Sequence, residues 1–241
     1  MMRKFLPVVF SILISYTGFS QPFNNAKSFY RAGIDFKNKN MFAEAMASFK
    51  KAISLNKAFD SAYVEIGDLY VRTGRPDSGI IHYNKALSVN PKMIPALLSL
   101  GNVYRDVKPN YDSALSCYYA ALKLDSFNKV TYYSIAWCYN AKADYEKAIP
   151  YAIKALEIDN NYKPAYGELG HAYRRTKKFT EAIEQFKKNI AVSKVDIPYF
   201  YSGMCYIELK NKEAALQQYE ELKKLNEKMA ESLKKRIDAM Q

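Results

Sequence analysis

The 241 residues hold little of what enzymatic or metal chemistry needs: two histidines, His82 and His171, one tryptophan, Trp137, and three cysteines, Cys117, Cys138 and Cys205. The histidines lie far apart, and there is no HExxH, CxxC, glycine-rich phosphate loop or nucleophile elbow. No catalytic residue, cofactor or metal site is therefore expected, and the chain reads as a non-enzyme. Glu181 and Glu184, or Glu220 and Glu221, fall on outer helical faces beside lysines, the pattern of solvated charge rather than of paired catalytic carboxylates. The irregular cysteine spacing excludes a regular disulfide framework, while an oxidising compartment would permit a single pair. Each cysteine sits in an apolar helical pattern, as a small buried thiol does.

Long hydrophobic runs are lacking too. The run FLPVVFSILI is shorter than the roughly 20 residues a membrane span needs, and nothing after residue 20 resembles one. With Arg3 and Lys4 before it and Gly18, Phe19 and Ser20 as a small-x-small site, residues 1–20 read as an export signal cleaved between Ser20 and Gln21. An uncleaved membrane anchor is the alternative. No cysteine follows the run, which argues against a lipid anchor. The expected destination is the periplasm. Without Arg3 and Lys4 the chain keeps 34 basic against 24 acidic residues, a net charge of +10 that attracts anionic partners: acidic peptides, nucleic acid or a phosphate-rich membrane surface. Export argues against nucleic acid.

What is abundant is repetition. SFYRAGIDF recurs as AYVEIGDLY, ALLSLGNVY, TYYSIAWCY, AYGELGHAY and YFYSGMCY, aligning Gly33, Gly67, Gly101, Ala136, Gly170 and Gly203 at separations of 34, 34, 35, 34 and 33 residues. Within a unit, apolar and small residues fall at helical spacing, as in Tyr63, Ile66, Gly67 and Tyr70. About ten residues on, a second helical stripe follows, such as Ala45, Phe49 and Ala52 or Ala114, Tyr118 and Ala121. Each unit is thus predicted to be two short helices joined by a tight turn.

This pattern resembles the tetratricopeptide repeat family over residues 26–228, as six repeats behind a short segment at 21–25. The resemblance implies an all-α fold: a right-handed superhelical solenoid of antiparallel helix pairs, each repeat covering its neighbour. Met229, Leu233, Ile237 and Met240 at helical spacing predict an amphipathic capping helix over 229–241. The departures have expected consequences. The extra residue in KPNYD should lengthen the inter-helix turn of the third unit, Gly79 replaces the second-helix alanine, and Pro150 lies past the first turn of its helix, where its ring would bend it.

In this family one flank of each first helix looks into a concave groove. Tyr133, Trp137 and Asn140 share a stripe displaced by roughly 120° from the core stripe. At the Trp137 position the units read Ile34, Asp68, Asn102, Trp137, His171 and Met204; three residues on they read Lys37, Val71, Arg105, Asn140, Arg174 and Ile207. Asn102, Arg105, Tyr133, Trp137, Asn140, His171, Arg174 and Arg175 therefore form a candidate peptide-binding groove, with aromatic faces for side chains, amides for the backbone and guanidinium groups for carboxylates. Two readings stay open: Trp137 as half-buried packing with the arginines as a solvated face, or the set as a binding surface. His171, beside two arginines, suits a neutral hydrogen-bonding imidazole better than a metal ligand. The carboxylate clamp of some family members is not matched, since only Asn102 of the required set is present. The function expected is an exported, non-catalytic scaffold for a protein or peptide partner in the cell envelope; the alternative is a polyanion, nucleic acid or an anionic glycan, held by the basic surface.

Overall fold

The computed structural model describes residues 21–240; the export signal expected at 1–20 lies outside them. Among the described residues the elements are α1 (Gln21–Asn38), α2 (Phe42–Leu55), α3 (Asp60–Arg72), α4 (Pro76–Val89), α5 (Ile94–Asn102) continued by a π-helical turn (Val103–Val107), α6 (Tyr111–Leu124), α7 (Lys129–Ala141), α8 (Tyr145–Ile158), α9 (Lys163–Arg175), α10 (Phe179–Val192), α11 (Asp196–Glu208), α12 (Lys212–Lys223) and α13 (Glu227–Asp238). They form six helix pairs and a final helix. Each helix packs on the next in sequence, and α7 on α9 and α11 on α13 pack across one pair.

The aligned small residues set the spacing within a pair. A Cβ built on Gly33, Gly67, Gly101 or Gly170 would come within 2.5 to 2.7 Å of a ring atom of Phe49, Tyr83, Tyr118 or Phe186 on the second helix of the same pair. That is closer than real carbon contacts allow, so the ring lies directly on the glycine backbone. The fourth pair solves the problem differently, with Ala136 and Ala152 both fully buried at these two positions. Its aromatic volume comes from Tyr119, Tyr139 and Tyr151, whose hydroxyls are linked at 2.8 and 2.9 Å. Gly203 meets Leu233 of α13 rather than a ring, at 2.6 Å. Leu233 and Ile237 are thereby buried and α13 covers the last pair, held at its start by Asn226, whose side chain accepts from the Met229 amide.

The turns within pairs are uniform: three residues separate the two helices of every pair. In five of them the middle residue has a positive φ, and the following amide reaches back five residues, as Arg75 N–H to Tyr70 O. That is a helix end of the Schellman type. Only Gly74 is a glycine there; Asn40, Ala143, Lys177 and Lys210 hold φ between 55° and 62°.

The third pair corrects the expectation of a longer turn. Its turn also has three residues, and the extra one is taken up inside the first helix as the π-helical turn, where Lys108 N–H donates to Val103 O at 2.9 Å. The closing bond then spans six residues, from Asn110 N–H to Tyr104 O. A π turn absorbs one residue without displacing Tyr104 from its place against the core, whereas a longer turn would shift the start of α6. Gly79 is explained by proximity, because a Cβ there would meet Val71 Cγ2 at 2.6 Å and Gly67 O at 3.1 Å. The helix α8 continues through Pro150 to Ile158.

Candidate functional site

Four of the five junctions between neighbouring pairs are bridged along the first-helix wall by a ladder that uses three of the residues proposed to face a ligand, Arg105, Asn140 and Arg174. The residue four places after the aligned small residue reaches the residue two places before the next one. Lys37 Nζ meets Glu65 Oε2 at 2.5 Å, Arg105 Nη1 donates to Ser134 Oγ at 3.0 Å, and Asn140 Nδ2 donates to Glu168 Oε2 at 2.7 Å and to Glu168 O at 3.0 Å. In the last rung the Arg174 guanidinium lies 4.8 Å over the Tyr201 ring. Asn140, read from sequence as a donor for a peptide backbone, is buried and engaged with Glu168. Arg105 is also held from both sides, by Ser134 and by two bonds to Asp106 at 2.7 and 2.6 Å.

One residue after the small residue, a second rule operates. Where the ring on the second helix is a tyrosine, this position carries an acceptor: the Tyr83 hydroxyl donates to Asp68 Oδ1 at 2.7 Å and the Tyr118 hydroxyl to Asn102 Oδ1 at 2.8 Å. Where it is Phe49, Ala152 or Phe186, no hydroxyl needs satisfying, and the position is Ile34, Trp137 or His171. These hydroxyls are nearly buried, so their acceptors are required by the pair itself. Asn102 remains exposed, beside a pocket of about 290 Å³ between α3 and α5 that Asp68, Arg72 and Asp106 also line.

Trp137 is half-buried, its ring edge-on to Tyr111 at 5.8 Å and 71°, with the Arg105 guanidinium 5.5 Å from it. One side of the indole is therefore covered by the preceding pair. Tyr133 leans edge-on against Tyr162 at 5.7 Å, and burial pushes its phenol up to about 12. His171 stands between Tyr145 and Tyr201, at 5.8 and 6.5 Å. Burial first, then Arg174 and Arg175, lowers its pKa to about 4, so the imidazole is neutral at pH 7. Arg175 lies 4.8 Å over Tyr145, and the Arg174 Nε is buried with no partner. Of the eight sequence-selected residues, His171, Arg174 and Arg175 lie on α9 against tyrosine rings, and Trp137 lies on α7 against Tyr111 and Arg105 of the preceding pair.

Family models described as tetratricopeptide repeat match residues 26–59, 60–93, 130–162 and 164–194, and a second such model matches 199–226. The chain belongs to the tetratricopeptide repeat family. The pair without a match, between residues 93 and 130, is the one that carries the π turn. Among solved tetratricopeptide structures, YrrB is similar with a TM-score of 0.68 and 24% identity, over 78% of this chain and 97% of its own. PilF of Pseudomonas aeruginosa is similar with a TM-score of 0.76 and 13% identity, over 89% of this chain and 99% of its own. Among curated relatives, anaphase-promoting complex subunit 3 of Schizosaccharomyces pombe is 33% identical over 84 residues, covering 35% of this chain and 12% of that protein. This chain spans less than two thirds of the length of the curated relatives it matches, and nearly all of YrrB and PilF.

Sequence reasoning missed the residues around a second tetratricopeptide pocket, of about 410 Å³ between α9 and α11, where Gly167, Phe186, Ile197 and Tyr201 lie beside His171. Among the described residues no group of three or more histidine, cysteine or acidic side chains is placed to hold a metal, and no helix is long and apolar enough to cross a membrane. The three cysteines are free thiols; burial pushes Cys117 up to about 11 and Cys138 and Cys205 up to about 12.

Proposed function

We propose that this chain is a non-catalytic scaffold that holds an extended segment of a partner protein against its first-helix wall at α7, α9 and α11, and that it works in the cell envelope after export directed by residues 1–20. The observation that carries this reading is the contrast along the wall. From Lys37 to Asn140 the polar rungs are engaged by the next repeat, while Arg174 and Arg175 sit on tyrosine faces without an ion pair among the described residues. A cation stacked on an aromatic ring is held in place but keeps its N–H groups for a carboxylate. Trp137 supplies half-buried aromatic surface on α7, and tryptophan and arginine are residue classes that concentrate binding energy at interfaces. YrrB is described as a tetratricopeptide protein with an unusual peptide-binding site, which supports a peptide as the kind of ligand such a solenoid can take.

The test is affinity capture from a cell-envelope extract with the purified protein as bait. Trp137→Ala and the double change Arg174→Ala, Arg175→Ala are each expected to lower recovery of the partner at least tenfold, with helical circular dichroism retained. Capture that ignores both variants yet collapses when salt rises from about 50 to 200 mM would instead indicate a polyanion held by overall charge.

A further inference from the structure

Three residues before the aligned small residue, five first helices carry a bulky side chain: Tyr30, Val64, Leu98, Tyr133 and Phe200. The remaining one, α9, carries Gly167. Nothing in the packing demands glycine there, for a Cβ would touch only Asn189 Nδ2, at an ordinary 3.6 Å. Its φ is not positive either, and glycine disfavours a helix interior. What the missing side chain leaves is the 410 Å³ pocket between α9 and α11, walled by Phe186, Pro198 and Tyr201, with Ile197 and Val195 about half exposed at its rim.

Two turns further along α9 the chemistry reverses. Arg174, Arg175 and Lys177 line another pocket of about 260 Å³, also between α9 and α11, and among the described residues none of the three forms an ion pair; Glu208 is the one carboxylate on its wall. The Arg174 Nε is buried and unpartnered. Tyr201 divides the two spaces, lining the apolar one and carrying the Arg174 guanidinium 4.8 Å over its ring. Seven helical residues from Gly167 to Arg174 span about 10 Å. Three residues of extended chain cover the same distance.

We infer that the α9–α11 cleft is a two-point site for a linear peptide bearing a bulky apolar side chain and, three residues away, a carboxylate. The apolar group enters the space left by Gly167, and the carboxylate is gripped by Arg174 and Arg175. Glu168 borders the apolar pocket, so an anion is repelled from that end and drawn to the arginines, which sets the direction of the peptide. This inference rests on the groove reading above and adds to it the location and the chemistry of the ligand.

The probe is a synthetic octapeptide, Gly-Ser-Phe-Ala-Ser-Asp-Gly-Ser, capped at both ends so that aspartate is its only charge, with Phe→Ala and Asp→Asn versions for comparison, measured by isothermal titration calorimetry against the purified protein. The parent peptide is expected to bind at least tenfold tighter than either version. Gly167→Leu, which restores the side chain found at Leu98, should abolish the advantage of phenylalanine and keep that of aspartate; Arg174→Gln with Arg175→Gln should do the reverse. Far-ultraviolet circular dichroism of each variant, expected to match that of the unaltered protein, controls for folding. Equal binding of the three peptides to the unaltered protein, or a phenylalanine preference that survives Gly167→Leu, would overturn the inference. If partner capture is lost in Trp137→Ala but persists in Gly167→Leu, the groove reading stands and this pocket falls; if capture ignores both, the groove reading itself falls.

Discussion

Gly167 and Gly170 lie three residues apart in α9, and the same substitution should act on them with opposite sign. Alanine in place of glycine in a helix interior stabilises by up to about 1 kcal/mol. At position 167 little opposes this, because the added methyl makes an ordinary 3.6 Å contact. At position 170 the methyl would stand 2.6 Å from Phe186 Cε1 and 2.9 Å from its Cδ1 and Cζ. The buried ring must then retreat by roughly 1 Å, and overpacking of this kind costs about 1–3 kcal/mol. The expected net effects are a gain of about 1 kcal/mol for Gly167→Ala and a loss of up to about 2 kcal/mol for Gly170→Ala. For a chain of this size that is a melting temperature higher by roughly 2–4 °C in the first variant and lower by up to roughly 8 °C in the second. Urea titration followed by far-ultraviolet circular dichroism gives the free energies, with unchanged slopes as the sign that cooperativity is intact. Phe186→Leu should partly rescue Gly170→Ala and not affect the gain at 167. A shift of the same sign in both variants would refute the argument that glycine at 170 is imposed by packing and at 167 is not.

Two further outcomes follow from local geometry. Ala143 holds φ at 61° in its turn, a region that costs an L-residue about 1–2 kcal/mol, so Ala143→Gly should stabilise by roughly 1 kcal/mol and Gly74→Ala, at φ 76°, should destabilise by a similar amount in the same urea assay. His171 is held near pKa 4, below the 6.5 of an unfolded chain, so as pH falls the unfolded state takes up the proton first. Stability contributed by the neutral imidazole is complete above pH 6.5 and is lost as pH falls towards 4. His171→Gln should flatten that part of the profile, leaving the weaker effect of His82, whose pKa is also lowered, mainly by burial. Nuclear magnetic resonance titration of the imidazole checks it directly, and a midpoint near 6.5 for His171 would contradict the structure.

The helix pairs were legible because every repeat states the same local pattern, and six statements of a helical stripe leave little room for another period. The candidate site was legible only in part. Trp137, His171 and Arg174 were found by following equivalent positions along the first helices and Arg175 as the residue beside Arg174; each rests on a neighbouring aromatic ring or guanidinium. Asn140 and Arg105 were found by the same route, but their polar ends are engaged with Glu168 and with Ser134 and Asp106. A stripe shows on which side of a helix a residue lies and not whether the next repeat reaches it first. The pocket at Gly167 did leave a signal, a glycine aligned with five bulky residues, which becomes visible when the position three before the small residue is read down all six units. The extra residue of the third unit was visible as well, but its outcome was not. A π turn and a longer loop both absorb one residue, and the choice depends on where Tyr104 must sit against its neighbours.

By itself the amino-acid order determined the repeat length, the two helices of each unit and the small residue on which a ring must rest, because these depend on side chains a few residues to about half a repeat apart. The tertiary structure decided which polar groups are tied up and where space is left open. Those outcomes depend on residues nearly one repeat apart, such as Asn140 and Glu168, whose meeting is set by how one helix pair is placed on the next.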